Sequence, residues 1–346
     1  MLLVAVTAAA VALLSLTPLP AVELLGALAA ATVLSVLGRA PEALPPPAVL
    51  GAQALLGAMI GLELRPESLV VLARSWPAIL LAVVATTALS VLAGLALARL
   101  ARMSRTTGVM AMAAGGASAI TALSHGVGSD RRIVVLSQYT RVLIVGFATP
   151  LLAAAFWPGT PGERASSGLG WTDGIPAPHG VLPLAAVLAV AALGVAVGRR
   201  VPVPAGALLL PMVGTAALAS TGLTQVRELP GPLVVLTYVV VGWYAGLGFR
   251  RQDLRALVAP WAWGLALTLV IIAACFGLGL VLAMMTDATV LEGYLATTPG
   301  GIWIVVAIAS DTGADLGLVA TAQVLRVILM VLTIPLLASW LRPDDG

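Results

Sequence analysis

Lysine is absent from this chain: all eighteen basic residues are arginine, and charged residues of either sign make up only 10% of 346 positions. Soluble domains carry roughly a quarter. Cysteine occurs once, as Cys275, which excludes an intramolecular disulfide and a thiolate metal cluster. Histidine occurs twice, as His125 and His179, too few for a multi-histidine copper or iron site. No Ser-His-Asp order, Walker loop or dinucleotide fingerprint stands in a credible context. A net charge of +3 could point toward nucleic acid, but the arginines are scattered among short loops, as the positive-inside bias of membrane proteins places them. Direct contact with nucleic acid is therefore not expected, and neither is a cofactor.

Apolar sequence is what the chain has in abundance. Hydrophobic residues account for 60% of it and the mean hydropathy is +1.07, so its solvent is lipid. Twelve hydrophobic stretches follow one another, at 2–16, 20–37, 47–64, 76–98, 107–127 and 132–156, then 181–198, 204–222, 231–249, 259–285, 291–310 and 316–341. Lipid offers no partner to an unpaired backbone amide, and the period-two alternation of a barrel strand is missing. The expected fold class is all-α, a polytopic transmembrane bundle of 10–12 segments. The apolar N-terminal stretch lacks a basic leader and a cleavage site, so it is read as a retained helix. Residues 157–180, rich in Gly, Pro and polar side chains, read as a linker between a first membrane unit, 1–156, and a second, 181–341.

A shift of 185 residues lays these two units on each other. It matches Pro45 to Pro230, Gly57 to Gly242, Gly61 to Gly246, Arg65 to Arg250, Trp76 to Trp261, Gly115-Gly116 to Gly300-Gly301 and Gly128 to Gly313. It also matches Asp130 to Asp315, Gln138 to Gln323 and Arg141 to Arg326. Apolar coincidences are cheap in this composition, but Asp, Gln, Arg and Trp are scarce, so the match marks a duplication. Six crossings per unit would make the halves parallel, and five would invert them. Arg65, Arg74, Arg250, Arg251 and Arg255 favour the parallel case; Arg99, Arg102 and Arg105 oppose it unless the fifth segment is re-entrant.

The fifth and eleventh stretches are interrupted, by Ala114-Gly115-Gly116 and by Thr297-Thr298-Pro299-Gly300-Gly301. Proline removes a donor and paired glycines loosen the backbone. Breaks at matching places in two halves point to a transporter-type site, because half-helix ends expose dipoles and free carbonyls to a solute. Close packing of small residues is the alternative. A polar string follows each break: Asp130, Gln138 and Arg141, then Asp315, Gln323 and Arg326. An arginine deep in a bilayer costs about 2.5–3.5 kcal/mol on insertion scales, so Arg326 needs protein or water around it. It either binds a charge or clamps carbonyls at a broken helix end, and the aspartates either bind charge or cap helices.

The stretch TTPGGIWIVVAIASDTGADLGLVATAQVLRVILMVLTIP resembles the AbrB-duplication family of bacterial membrane proteins, and the likeness spans both halves. The first half departs from the pattern at Ala114 and carries GSD where the second has GAD. The resemblance implies a multi-pass protein of the bacterial inner membrane. It carries two labels, regulator of gene expression and ammonia monooxygenase; the residues supply no metal ligands for the second, and no enzyme is expected. The expected function is transporter-like binding of a small solute or ion between the halves, at Thr297, Thr298, Pro299, Gly300, Gly301, Asp315, Gln323 and Arg326 and at Gly115, Gly116, Asp130, Gln138 and Arg141. A membrane-embedded regulator acting indirectly is the competing class. The partners are then the bilayer and the solute, with a homo-oligomer left open.

Overall fold

The computed structural model describes residues 1–17, 19–63, 66–114, 120, 129–156, 181–200, 206–222, 224, 226, 229–248 and 258–341. Among them are thirteen helices and no strands. The first set is α1 (Leu2–Leu14), α2 (Val22–Val36), α3 (Pro46–Glu63), α4 (Pro66–Leu100), α5 (Arg105–Met112) and α6 (Arg131–Phe156). The second is α7 (Val181–Gly198), α8 (Gly206–Ser220), α9 (Gly231–Leu247), α10 (Val258–Met285), α11 (Val290–Thr297), α12 (Ile302–Thr312) and α13 (Leu316–Leu341). The linker at 157–180 lies outside the described residues, as do Gly115, Gly116, His125 and His179.

Among the described residues four spans are long and apolar enough to cross a membrane: Arg74–Leu100, Arg132–Ala154, Val181–Gly198 and Ala262–Met285. The others are shorter apolar helices. Side chains are distributed as lipid demands. Leu13, Leu182, Leu193 and Met284 are exposed, whereas Gln138, Gln323, Arg141 and Arg326 are buried. The protein is a helical membrane bundle, apolar on its surface and in most of its core, with a small buried polar group that includes the two Gln–Arg pairs.

Helix bounds repeat at the same offset as the sequence. Arg105–Met112 and Val290–Thr297 are 185 residues apart at both ends, and so are Arg131–Phe156 and Leu316–Leu341. The packing partners repeat too: α1 lies on α2 as α7 lies on α8, and α4 on α5 as α10 on α11. The main contacts between the two sets are α3 with α8 and α2 with α9, which are equivalent pairs.

Glycines at those contacts reveal the running directions. A methyl on Gly57 would meet Pro211 and Met212, and one on Gly61, four residues on, would meet Met212 and Ala216. Hence α3 and α8 run the same way. Gly242 would meet Leu24 and Leu28, and Gly246 would meet Leu28 and Thr32, so α9 and α2 also run the same way. The end of α2 leads through Ala40 and Leu44, which pack with Leu34, Trp243 and Leu247. Helix α3 therefore starts where α9 ends. As α3 and α9 are equivalent helices, the equivalents run in opposite directions.

The interrupted segments explain this. The Asp130 amide, just before α6, donates to Thr107 Oγ1 near the start of α5 (2.9 Å). The Asp315 amide, just before α13, donates to Glu292 Oε1 near the start of α11 (2.9 Å). Each segment thus comes back to the side it entered from. Each is a re-entrant hairpin, which leaves five through-running helices before 157 and five after 180 among the described residues, an odd number that agrees with equivalent helices running in opposite directions. The arginines leave parallel and inverted halves both open; the running directions of the helices favour the inverted arrangement.

Candidate functional site

Entry of the second hairpin is set by a capping box. Thr289 Oγ1 accepts from the Glu292 amide (3.2 Å), and Glu292 Oε2 accepts from the Thr289 amide (2.7 Å). In the first hairpin Ser104 Oγ accepts from the Thr107 amide (3.2 Å). Thr107 and Glu292 occupy equivalent places, and each then holds the aspartate amide that follows its hairpin. The aspartate side chains turn onto their own helices: Asp130 Oδ1 accepts from the Arg132 amide (2.9 Å), and Asp315 Oδ1 from the amides of Gly317 (2.7 Å) and Leu318 (3.1 Å). They cap α6 and α13.

Depth is reached by half-helices packed closely on the long helix before them. A methyl on Gly279 would fall 2.7 Å from the Gly293 carbonyl carbon, and one on Gly94 would fall 2.8 Å from the Gly108 carbonyl oxygen. These pairs, Gly94 with Gly108 and Gly279 with Gly293, are themselves 185 residues apart. The hairpins fit only because no side chain intervenes there.

Each hairpin stops at an extended residue, Ala113 (φ −61°, ψ 123°) or Thr298 (φ −62°, ψ 138°). The last carbonyls of a helix have no partner within it. Here a buried Gln–Arg pair supplies one. Gln323 Nε2 donates to the carbonyls of Leu295 (2.8 Å) and Thr298 (3.1 Å). The amide four residues beyond Leu295 belongs to Pro299 and carries no hydrogen, so the Gln323 carboxamide replaces the missing donor. Arg326 Nη1 donates to the carbonyls of Thr297 (3.1 Å) and Thr298 (2.8 Å), and Nη2 to Gln323 Oε1. In the first half Gln138 Nε2 donates to Met110 (2.9 Å) and Ala113 (2.9 Å), and Arg141 Nη1 to Met112 (3.0 Å) and Ala113 (3.1 Å). Arg141 Nη2 donates to Gln138 Oε1 (2.7 Å). The first helix breaks without a proline because its terminal carbonyls are captured in the same way.

The two ends meet. Arg326 Nε crosses to the carbonyl of Ala114 in the other half (3.1 Å). Gly300 lies against Val145 of α6, and Gly301, at φ +84°, lies near Val142. Only glycine reaches that φ without strain. Thr297 Oγ1 is within hydrogen-bond distance of the Cys275 (2.7 Å) and Gly293 (2.9 Å) carbonyls. Arg141 is 3% exposed and Arg326 2%. Every acceptor just described for either guanidinium is a neutral carbonyl or carboxamide oxygen.

The structure therefore brings Gln138, Arg141, Gln323, Arg326, Thr297, Thr298, Pro299, Gly300 and Gly301 together, and sets Asp130 and Asp315 apart at the hairpin entrances. Sequence reasoning missed the Ala113 and Ala114 carbonyls, the Thr107 and Glu292 latches and the paired glycines. The glycines were findable, since they obey the repeat; carbonyl acceptors leave no mark in a sequence. Asp311, which has no equivalent in the other half, accepts from the Ala21 amide (2.7 Å) and tethers the end of α12 to the start of α2.

No solved structure matches the chain. A family model described as Transition state regulatory protein AbrB matches it over residues 1–69 and 23–342. A protein of Escherichia coli (strain K12) named "Putative regulator AbrB" is 33% identical over 323 residues, covering 93% of this chain and 90% of that relative. On the extent of both matches, the chain belongs to the AbrB family.

Proposed function

We propose that residues 1–156 and 181–341 are inverted halves of a secondary transporter-like protein, that a small solute or ion binds where the hairpin tips meet, and that it is not an enzyme. The carrying observation is that two re-entrant hairpins entering from opposite faces end at one buried pair of arginines, Arg141 and Arg326. Inverted repeats with discontinuous helices are the arrangement by which one site is offered to either side of a membrane in turn. Gln138 and Gln323 brace the broken ends by donating to their last carbonyls, Thr297, Thr298, Pro299, Gly300 and Gly301 shape the second tip, and Asp130 and Asp315 fix the entrances.

Orientation follows from charge. With five crossings in each half, Arg39, Arg99, Arg102, Arg105, Arg131, Arg132, Arg199 and Arg200 fall on the face from which the first hairpin enters, and Arg74 on the other. Positive residues in short loops stay inside. The first hairpin accordingly enters from the cytoplasm of a bacterial inner membrane, and the second from outside.

The relatives' names speak for a regulator, and a bundle that binds a signal without moving it is the second reading. One experiment separates them. The purified protein is screened for small solutes that raise its unfolding temperature, and each hit is tested for uptake into proteoliposomes. Transport predicts that a stabilising solute is also taken up, and that Arg326→Gln abolishes both effects while the protein stays folded. A solute that stabilises and never crosses would leave the regulator reading standing.

A further inference from the structure

The repeat fails at one atom. Arg326 Nε donates to Ala114, whose equivalent in the second half is Pro299; Arg141 Nε, buried just as deeply, has no partner among the described residues. Across the junction Thr298 Oγ1, on a residue 0% exposed, makes no hydrogen bond of good geometry and has the Tyr294 hydroxyl, one turn earlier, as its polar neighbour. That hydroxyl is itself paired with Thr149 Oγ1 (3.2 Å). Both under-satisfied groups belong to one junction. The consecutive carbonyls of Ala113 and Ala114 take hydrogen bonds from Arg141 Nη1 and Arg326 Nε, and the tip that carries Thr298 rests on Val142 and Val145, the turn of α6 that follows Arg141.

A guanidinium has five N–H donors. Among the described residues Arg141 makes bonds to Met112, Ala113 and Gln138, which leaves two of its donors over; Arg326 makes bonds to Ala114, Thr297, Thr298 and Gln323, which leaves one. Native proteins leave few buried donors unfilled, and charged ones least of all, since each forfeits its hydration with nothing in return. Two cations side by side in a lipid-embedded core add mutual repulsion that neutral carbonyls offset only in part.

Resting on the reading that solute binds between the tips, we propose that the solute is a small oxyanion. One of its oxygens is held by Arg141 Nε–H and the free Nη2–H as a fork, and the rest of it is turned toward the free Arg326 Nη2–H and the Thr298 hydroxyl. An oxyanion supplies what the junction lacks, negative charge and several acceptors on one small group. A neutral solute would leave the charge uncompensated, and a cation would meet two like charges.

The test uses full-length protein in a neutral maltoside detergent, without anionic lipid, so that a lipid headgroup cannot stand in for the solute. Unfolding temperature is recorded against acetate, succinate, phosphate and sulfate, against the neutral isosteres acetamide and succinamide, and against methylammonium. At least one oxyanion should stabilise wild type with saturation, and its isostere should not. Arg141→Lys, which keeps the charge and loses the fork, should weaken that binding by about 10- to 100-fold, the range of one charge-assisted hydrogen bond. Thr298→Val, near-isosteric and leaving the Thr298 carbonyl in its clamp, should weaken it by about tenfold and covers the case in which Arg141→Lys does not fold. Stabilisation by a neutral solute or by methylammonium but by no oxyanion overturns the proposal, as does oxyanion binding indifferent to Thr298→Val. Proteoliposome flux of the same probes is read separately. Oxyanion binding without flux defeats the transport reading and leaves the anion site, whereas flux of acetamide or methylammonium alone defeats the anion site and leaves transport.

Discussion

Replacing Gly279 by alanine should loosen the second hairpin, and replacing Gly277, two residues earlier on the same helix, should not. The new methyl at position 279 would sit 2.7 Å from the Gly293 carbonyl carbon and from the Tyr294 nitrogen, and 2.8 Å from the Gly293 oxygen, against an ordinary contact beginning at 3.4 Å. These are backbone atoms, so no rotamer can yield. Helices α10 and α11 must part by about 0.7 Å, the difference between 3.4 Å and 2.7 Å. Overpacking of this kind costs about 1–3 kcal/mol, and gaining alanine in a helix interior returns about 0.5–1 kcal/mol. A net loss of about 1–2 kcal/mol remains. At Gly277 nothing lies within 4 Å, so only the gain applies. The two variants should differ by about 2 kcal/mol, roughly 30-fold in the folding equilibrium. Titration of the purified variants with sodium dodecyl sulfate in mixed micelles reads that difference. Equal stability of the two would refute close backbone packing as the device that seats the hairpin.

Gln323→Leu should destabilise by about 2–5 kcal/mol in the same titration, because it orphans the Leu295 carbonyl and takes an acceptor from Arg326 Nη2. Gln138→Leu should behave alike if the halves carry equivalent clamps, since Met110 and Arg141 lose the corresponding partners. Thr289→Ala should cost about 1 kcal/mol, the worth of a helix N-cap, while Glu292 keeps its hold on the Asp315 amide.

The duplication was legible because Asp130, Gln138 and Arg141 recur as Asp315, Gln323 and Arg326 in a composition where such residues are scarce. Helix α13 opens at Leu316, where the last apolar run opens. The running direction of the halves was not legible. An apolar stretch of some twenty residues reads the same whether it crosses or turns back. The contacts that decide it, Asp130 on Thr107 and Asp315 on Glu292, join residues 23 apart. The spacing of Asp315 and Arg326 did imply a shared helix face, but Asp315 is occupied at the head of α13 by the amides of Gly317 and Leu318. The first break has alanine where the second has proline, and it forms because what ends α5 is the Gln138–Arg141 pair reaching in from α6.

The most direct test of the account asks whether the hairpins enter from opposite faces. Arg102 and Asp287, equivalent in the repeat, are both exposed at the hairpin entrances. In a Cys275→Ala background, single cysteines at these two positions are labelled in intact cells with a membrane-impermeant maleimide. The inverted arrangement predicts that cysteine at 287 reacts from outside and cysteine at 102 reacts only after the membrane is opened. Reaction of both from the same side would contradict the inversion, and with it the meeting of the two tips at Arg141 and Arg326.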